Sequence, residues 1–179
     1  MNRYRNFVIP VLGALVALLV TSTVAMAQQD AATASATPAG ATIVAAITIG
    51  HTAHLHFGQI IPGVGAGTVL QSADASPTRT PTGCTLGNTT GMSPATFSVG
   101  GEPNATYSIT LPDDDDVTIN DVGLGDAMAI TDWTSSPSGT GLLNGSGAQT
   151  LYVGGTLNVG AAQVAGVYTG TFDLTVTYN

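Results

Sequence analysis

The chain has 179 residues, of which 44% are hydrophobic and 8% are charged, with 23 glycines, one cysteine and no lysine. High hydrophobicity with low charge is not typical of disordered chains, and abundant glycine, threonine and valine indicate short strands joined by turns. With 11 acidic residues against 3 basic ones, the composition argues against binding to nucleic acid or anionic membranes, which both depend on lysine and arginine.

The first 27 residues have the pattern of an export signal. Arg3 and Arg5 precede an apolar run over residues 7–20, and a small-residue cleavage site ends at Ala27. A run of about 14 residues is short for a membrane span, which needs about 20. We therefore predict export through the periplasm to the cell surface or medium. Removal of the signal leaves Arg79 against eleven acids, so the formal charges of +1 and −11 give −10.

Residues 28–41 are small and polar, which predicts a flexible leader before the domain. A β domain is predicted over residues 42–179. Its first segment, 42–49, alternates apolar and polar residues with the period of a half-buried strand. The side chains on one face of this segment are Ile43, Ala45, Ile47 and Ile49.

Later segments repeat the alternation at short intervals. Strands are predicted at 68–70, 96–99, 106–111, 117–120, 127–133, 149–153 and 155–159, followed by a long terminal strand over 167–178. The inward row of the terminal strand is Tyr168, Gly170, Phe172, Leu174, Val176 and Tyr178. Frequent short strands with no helical period predict an immunoglobulin-like antiparallel β-sandwich of about seven to nine strands.

Three histidines lie close together at the end of the first predicted strand. His54 and His56 share one parity, whereas His51 has the other. Two imidazoles on one face of a strand supply half of a metal site, so we expect surface histidines here.

A run of four aspartates follows the strand at 106–111. Asp113, Asp114, Asp115 and Asp116 offer the oxygen ligands that Ca²⁺ prefers outside the cell. The spacing does not match the helix–loop–helix calcium pattern, and a solvated acidic loop is the simpler interpretation. We therefore predict no cofactor, with calcium at these aspartates as the alternative.

The remaining reactive or aromatic residues do not predict catalysis. Cys84 is the single cysteine, so it is either a small buried apolar residue or half of an intermolecular disulfide. Trp133 is predicted as a core anchor, with a sugar-stacking platform as the alternative. No nucleophile elbow, phosphate loop or dinucleotide motif occurs in a suitable context. We predict that the protein is not an enzyme.

Several segments resemble a bacterial secreted family catalogued as domain of unknown function 4402. They are Leu55-His56-Phe57-Gly58 with Pro62-Gly63, Ala105 to Pro112, Leu151 to Leu157, and Gly166 to Gly170. The resemblance spans about residues 42–179. It implies a set of core strands and turns, and it implies no particular activity.

A second similarity is to the chaperone–usher pilins, especially the archaic branch with the spore coat protein U-like subunits. It rests on a penultimate Tyr178 and on Gly166, fourteenth from the end. The similarity implies a sandwich that lacks one strand and is completed by an N-terminal segment of the next subunit. Its implied partners are like subunits, a periplasmic chaperone and an outer-membrane usher.

These features predict a non-catalytic subunit of a surface or extracellular fibre. The predicted donor is 42–49, with Ile43, Ala45, Ile47 and Ile49 inserting, and the predicted acceptor is the terminal row together with Gly166. The alternative is a self-complete secreted module that binds carbohydrate, calcium or a surface protein through loops in 113–126. The two predictions differ in whether 42–49 pairs within its own domain.

Overall fold

A computed structural model describes residues 36–114, 116–123 and 125–179. The predicted signal, the first part of the leader and Asp115 lie outside the described residues. The chain from Thr42 to Asn179 forms one compact unit. The described residues form thirteen β-strands and no helix, so this part of the chain holds no helix with the length and apolar character needed to cross a membrane.

The strands follow one another at short intervals along the chain. In order they are β1 Thr48–Ala53, β2 Ile60–Ile61, β3 Gly67–Gln71, β4 Arg79–Thr82, β5 Thr85–Leu86, β6 Ala95–Gly100, β7 Thr106–Thr110, β8 Val117–Asp121, β9 Ala127–Ser136, β10 Thr140–Leu142, β11 Ala148–Val159, β12 Tyr168–Thr169 and β13 Thr175–Tyr178.

All strand pairs are antiparallel. The largest sheet has the order β1-β6-β11-β9-β8-β12, with β3 also paired to β11 and β4 paired to β3. A second sheet has the order β10-β7-β13, and β2 pairs with β5.

Strand β11 lies at the centre of the large sheet. Along one edge it pairs first with β6 and then with β3, and along the other edge it pairs with β9. Leu151 and Val153 are fully buried, and Leu157 is nearly so. Burial is continuous from Val153 to Leu157 instead of alternating, because Gly154, on the opposite face from Val153, lies against the backbone of Gln71 and Ala73.

The core consists of two clusters of buried residues. The first contains Phe57, Val69, Val117, Met128, Ile130, Leu157 and Val159. The second contains Ala95, Val99, Tyr107, Leu143, Leu151 and Val153. Leu55, Trp133 and Phe172 are partly buried and pack against both clusters.

The predicted all-β antiparallel fold is confirmed, and the immunoglobulin-like strand arrangement stays a prediction. The structure has more strands than the predicted seven to nine, since two-residue strands such as β2 and β5 are too short for a periodic pattern. The two strands predicted at 149–153 and 155–159 form the single strand β11, because Gly154 stays in the ladder opposite Thr134.

The long terminal strand predicted over 167–178 is divided into β12 and β13. β12 pairs with β8, and β13 pairs with β7. In the connection from β7 to β8, residues 111–114 and 116 form no β-ladder pairs. Pro112 in this connection has no N–H to donate to a neighbouring strand. Residues 170–174, which pass this connection, therefore lie outside the strands.

Candidate strand-accepting groove

The first and last strands of the domain are both edge strands. Within the described residues, β1 pairs with β6 alone, β12 with β8 alone and β13 with β7 alone. An edge strand leaves a row of backbone N–H and C=O groups without ladder partners. Both ends of the folded chain therefore offer a free edge to a further strand.

The terminal segment presents an apolar row that is only half buried. Phe172, Leu174, Val176 and Tyr178 are partly buried, and the residues between them are exposed. All four pack against the second cluster. Of the other predicted acceptor residues, Gly166 and Gly170 are exposed, and Tyr168 packs against the first cluster.

The inner face of β1 is also poorly covered. Ile49 lies directly opposite Val99 and His51 directly opposite Phe97, and directly paired residues share one face of a sheet. Val99 is fully buried, so Ile49 and His51 face the interior. Nevertheless Ile49 is 38% exposed and His51 is exposed. The His51 ring contacts Phe97 with centroids 5.6 Å apart, so this part of the inner face is only partly covered.

We call the region between these two free edges the terminal groove. One side is the inner row of β1, and the other is the half-buried row of the terminal segment. Aromatic rings connect the two sides: Phe97 contacts Phe172 with ring centroids 6.3 Å apart, and Phe172 contacts Trp133 at 4.7 Å. The predicted core anchor Trp133 thus lies beside the terminal groove.

Three residues close one end of the terminal groove. The Tyr178 hydroxyl donates to the Ala45 carbonyl (2.8 Å) and accepts from the Glu102 N–H (2.6 Å). The Ala45 N–H donates to Glu102 Oε2 (2.9 Å). Gly101 is required here, because a Cβ at this position would collide with the Tyr178 hydroxyl. We call these contacts the Tyr178 clasp.

The structure places the four residues of the predicted donor row in four different environments. Ile43 is 94% exposed. Ala45 is exposed but held by the Tyr178 clasp, and Ile47 packs against the second cluster. Ile49 belongs to β1 and pairs with β6. In the single chain, only the beginning of segment 42–49 is therefore free of the domain.

The sequence pattern of one protein family matches residues 47–178, and that family is described as Domain of unknown function (DUF4402). The chain belongs to the DUF4402 family. The match begins one residue before β1 and ends at the last residue of β13, so it covers all thirteen strands. Comparison with curated proteins and with solved structures finds no match. The resemblance to pilins stays a prediction.

The aspartate run of this DUF4402 domain lies in an exposed connection. Asp113, Asp114 and Asp116 are exposed. Asp114 Oδ1 accepts a hydrogen bond from the Asp132 N–H (2.6 Å). The described residues contain no group of three or more histidine, cysteine, aspartate or glutamate side chains arranged around a metal position.

The histidines of the DUF4402 domain are arranged differently from the predicted pattern. The register of β1 shifts between His51 and Ala53, and the extra residue of such a bulge reverses the alternation. As a result His51 and His54 lie together, with ring centroids 4.5 Å apart. His56 does not belong to this pair. Its Nδ1 accepts a hydrogen bond from the Gly58 N–H (2.8 Å). The alternating sequence carries no signal for the bulge.

Two further features lack the groups that catalysis needs. Cys84 is partly buried, packs against the first cluster and donates from Sγ to the Thr68 carbonyl (3.3 Å). A shallow cleft of about 460 Å³ lies beside β3 and β9, and no titratable side chain lines it. Its lining residues include Thr68, Met128 and Asn158. The terminal groove is therefore the feature with the clearest potential for binding.

Proposed function

We propose that this DUF4402 protein is a non-catalytic structural subunit of a surface or extracellular fibre, assembled by β-strand complementation. The observation that carries the proposal is the terminal groove, where two free strand edges flank half-buried apolar rows. An inserted strand would satisfy the backbone groups of an edge, while its alternate side chains cover the row from Phe172 to Tyr178.

The proposed donor is segment 42–49 of a neighbouring copy. Ile43 is 94% exposed and Val44 is 54% exposed, which is unusual for large aliphatic side chains placed together. Segment 42–49 already occupies one end of its own terminal groove through the Tyr178 clasp. Exchange of this segment between copies is a form of domain swapping, and a head-to-tail exchange that does not close produces a filament.

The free energy of association requires backbone pairing by an inserted strand in addition to the burial of a few side chains. Full burial of a large apolar side chain contributes about 1.5–3 kcal/mol. The four side chains from Phe172 to Tyr178 are already partly buried, so covering the rest of them contributes at most about 4 kcal/mol in total. This is at the low end of the 4–15 kcal/mol that association costs in lost freedom of motion. Backbone hydrogen bonds, at about 1 kcal/mol each, are therefore needed as well, and a free strand edge supplies them.

The proposal includes export and a protected route to assembly. An exposed strand edge beside an apolar row promotes aggregation, so a periplasmic chaperone that covers the terminal groove, and an usher that receives the subunit, are the expected partners. No cofactor is part of the proposal. The binding-module alternative is favoured by the contacts of segment 42–49 with its own domain. Thr48 and Ile49 pair with β6, Ile47 packs against the second cluster, and the Tyr178 clasp holds Ala45.

The test compares point variants of the chain from Gln28 to Asn179 by size-exclusion chromatography with light scattering. We expect concentration-dependent polymers from the unmodified chain and monomers from the double variant Ile43→Asp, Val44→Asp. Both positions are exposed, so the double substitution leaves the core intact. Val64→Asp is the matched control, because Val64 is fully exposed and lies outside the terminal groove.

A peptide with the sequence of residues 42–49 tests the acceptor side. Added to the monomeric double variant, it should bind one to one and change the fluorescence of Trp133, the single tryptophan, because Trp133 contacts Phe172. A monomeric unmodified chain whose Trp133 fluorescence does not respond to the peptide would contradict strand complementation. The self-complete binding module would then be the better proposal.

A further inference from the structure

The imidazoles of His51 and His54 lie next to each other on an exposed strand. Their ring centroids are 4.5 Å apart and their planes are inclined by 43°. Both side chains are exposed, and neither ring has a hydrogen bond to another described residue. Two neutral imidazoles with free nitrogens at this separation are ligands available to a metal ion.

The separation of the two rings fits one metal geometry better than another. A metal–nitrogen distance of about 2.0–2.1 Å puts the ion about 3.2 Å from each ring centroid. When one nitrogen of each ring faces a shared ion, two such arms that span 4.5 Å enclose an angle of roughly 90° at the metal. This is the angle between neighbouring ligands in the tetragonal sites of Ni²⁺ and Cu²⁺, and it is smaller than the tetrahedral angle that Zn²⁺ prefers.

We propose that His51 and His54 form a two-imidazole site for a tetragonal divalent cation, Ni²⁺ or Cu²⁺, with water in the remaining positions. His51 belongs to β1 and His54 follows it; because His51 also lies on the inner row of β1 beside the terminal groove, the site is proposed for the unassembled chain. The charge of the chain is compatible with the proposal, since acids far outnumber bases and there is no lysine. A negative overall potential attracts cations.

The third histidine supplies a matched control. His56 is exposed like the other two, but its Nδ1 is engaged with the Gly58 N–H, and its backbone exchanges hydrogen bonds with Ser93 at 2.9 and 3.0 Å. A cation that bound histidines only because they are exposed would not distinguish His56 from the pair. A cation held by the pair would distinguish them.

The experiment titrates Ni²⁺ into the chain from Gln28 to Asn179, purified without a polyhistidine tag and kept at a concentration at which light scattering shows monomers. Proton NMR resolves the ring signals of the three histidines, and calorimetry gives the affinity. We expect less than one equivalent of Ni²⁺ to broaden the signals of His51 and His54 well before that of His56. His51→Gln and His54→Gln should each weaken binding by about tenfold or more, and His56→Gln should leave it unchanged.

Three results would overturn this proposal. The first is equal broadening of all three histidine signals, and the second is equal weakening by His56→Gln. The third is Ni²⁺ binding that survives both His51→Gln and His54→Gln, which would place the ion elsewhere, for example at the aspartates. Because a ligating imidazole must be deprotonated, binding by the pair should also weaken as the solution is acidified.

Discussion

The centre of the large sheet and the terminal groove are built from similar residues but are covered very differently. At the centre, Leu151 and Val153 on β11 are fully buried, because β11 has strands along both of its edges. In the terminal groove, Leu174 and Val176 are only partly buried, because Leu174 lies just before β13 and β13 has a strand along one edge only. An apolar segment thus stabilises the fold at the centre of the large sheet, whereas a similarly apolar segment in the terminal groove is available for binding.

The largest expected effect tests this difference directly. Leu151→Ala should lower the free energy of unfolding by about 2–5 kcal/mol, because it removes buried methyl groups and leaves a cavity. Leu174→Ala should lower it less, by about 1–2 kcal/mol, since Leu174 is only partly buried and the change therefore removes less apolar surface from the interior. Urea unfolding measures both values. Equal losses at the two positions would show that the terminal groove is covered in solution.

Leu174→Ala should have its main effect on binding. The variant loses one of the four apolar contacts offered to an inserted strand, so the residue 42–49 peptide should bind about fivefold to tenfold more weakly. The change in Trp133 fluorescence on peptide addition provides the measurement. Leu142→Ala serves as its control, because Leu142 is 56% exposed and β10 lies away from the terminal segment. An unchanged affinity in Leu174→Ala would remove the terminal row from the proposed acceptor.

A smaller effect is expected from a hydrogen bond inside the closed part of the domain. Tyr107 is fully buried, and its hydroxyl donates to Gln149 Oε1 (2.7 Å). Tyr107→Phe should cost about 1 kcal/mol of unfolding free energy at neutral pH. Urea unfolding of both proteins at neutral pH checks this value.

The same tyrosine predicts a dependence on alkaline pH. Burial raises the pKa of Tyr107 above 10.0, so the unfolded chain releases this proton first as the pH rises. The folded protein therefore loses stability above about pH 10, and this loss should be smaller in Tyr107→Phe. If both proteins lose stability equally between about pH 9 and about pH 11.5, the buried phenol is not the cause.

The smallest effect on stability is expected at the Tyr178 clasp. Tyr178→Phe removes a donor to Ala45 and an acceptor for Glu102 on the surface of the domain, which should cost less than about 1 kcal/mol. Amide hydrogen exchange at Ala45 should nevertheless accelerate, and the polymeric fraction should rise, because segment 42–49 is released from its own domain.

The matched control for the clasp is Tyr168→Phe. The Tyr168 hydroxyl donates to the Val164 carbonyl (2.7 Å) and accepts from Gln163 (3.0 Å), so the variant loses the same kinds of bond at a different place. Faster exchange at Ala45 in both variants, or in neither, would show that the clasp does not control the release of segment 42–49.

Much of the all-β fold could be predicted because alternation and turn residues are local signals. The strands β3, β6, β7 and β8 lie within two residues of their predicted bounds. Burial of alternate residues in the terminal segment also follows the predicted parity from Phe172 to Tyr178. Each of these features depends on neighbours along the chain, and the period of two is visible in the residues themselves.

The candidate sites depended on contacts that the alternation does not encode. The pairing of His51 with His54 needs the bulge against β6, and the Tyr178 clasp joins residues 133 positions apart in sequence. The division of the terminal strand follows from a connection elsewhere in the chain, at 111–116. None of these features changes the apolar–polar alternation of the segment in which it occurs.

The amino-acid sequence by itself determined the class of fold, the inward parity of the terminal row and the absence of catalytic motifs. The tertiary structure decided which strands have two neighbours and which have one. The physical reason is that alternation specifies which face of a strand is apolar, whereas the pairing of an edge depends on distant segments that compete for the same backbone hydrogen bonds. The terminal groove exists because, within the described chain, no such segment pairs with these two edges.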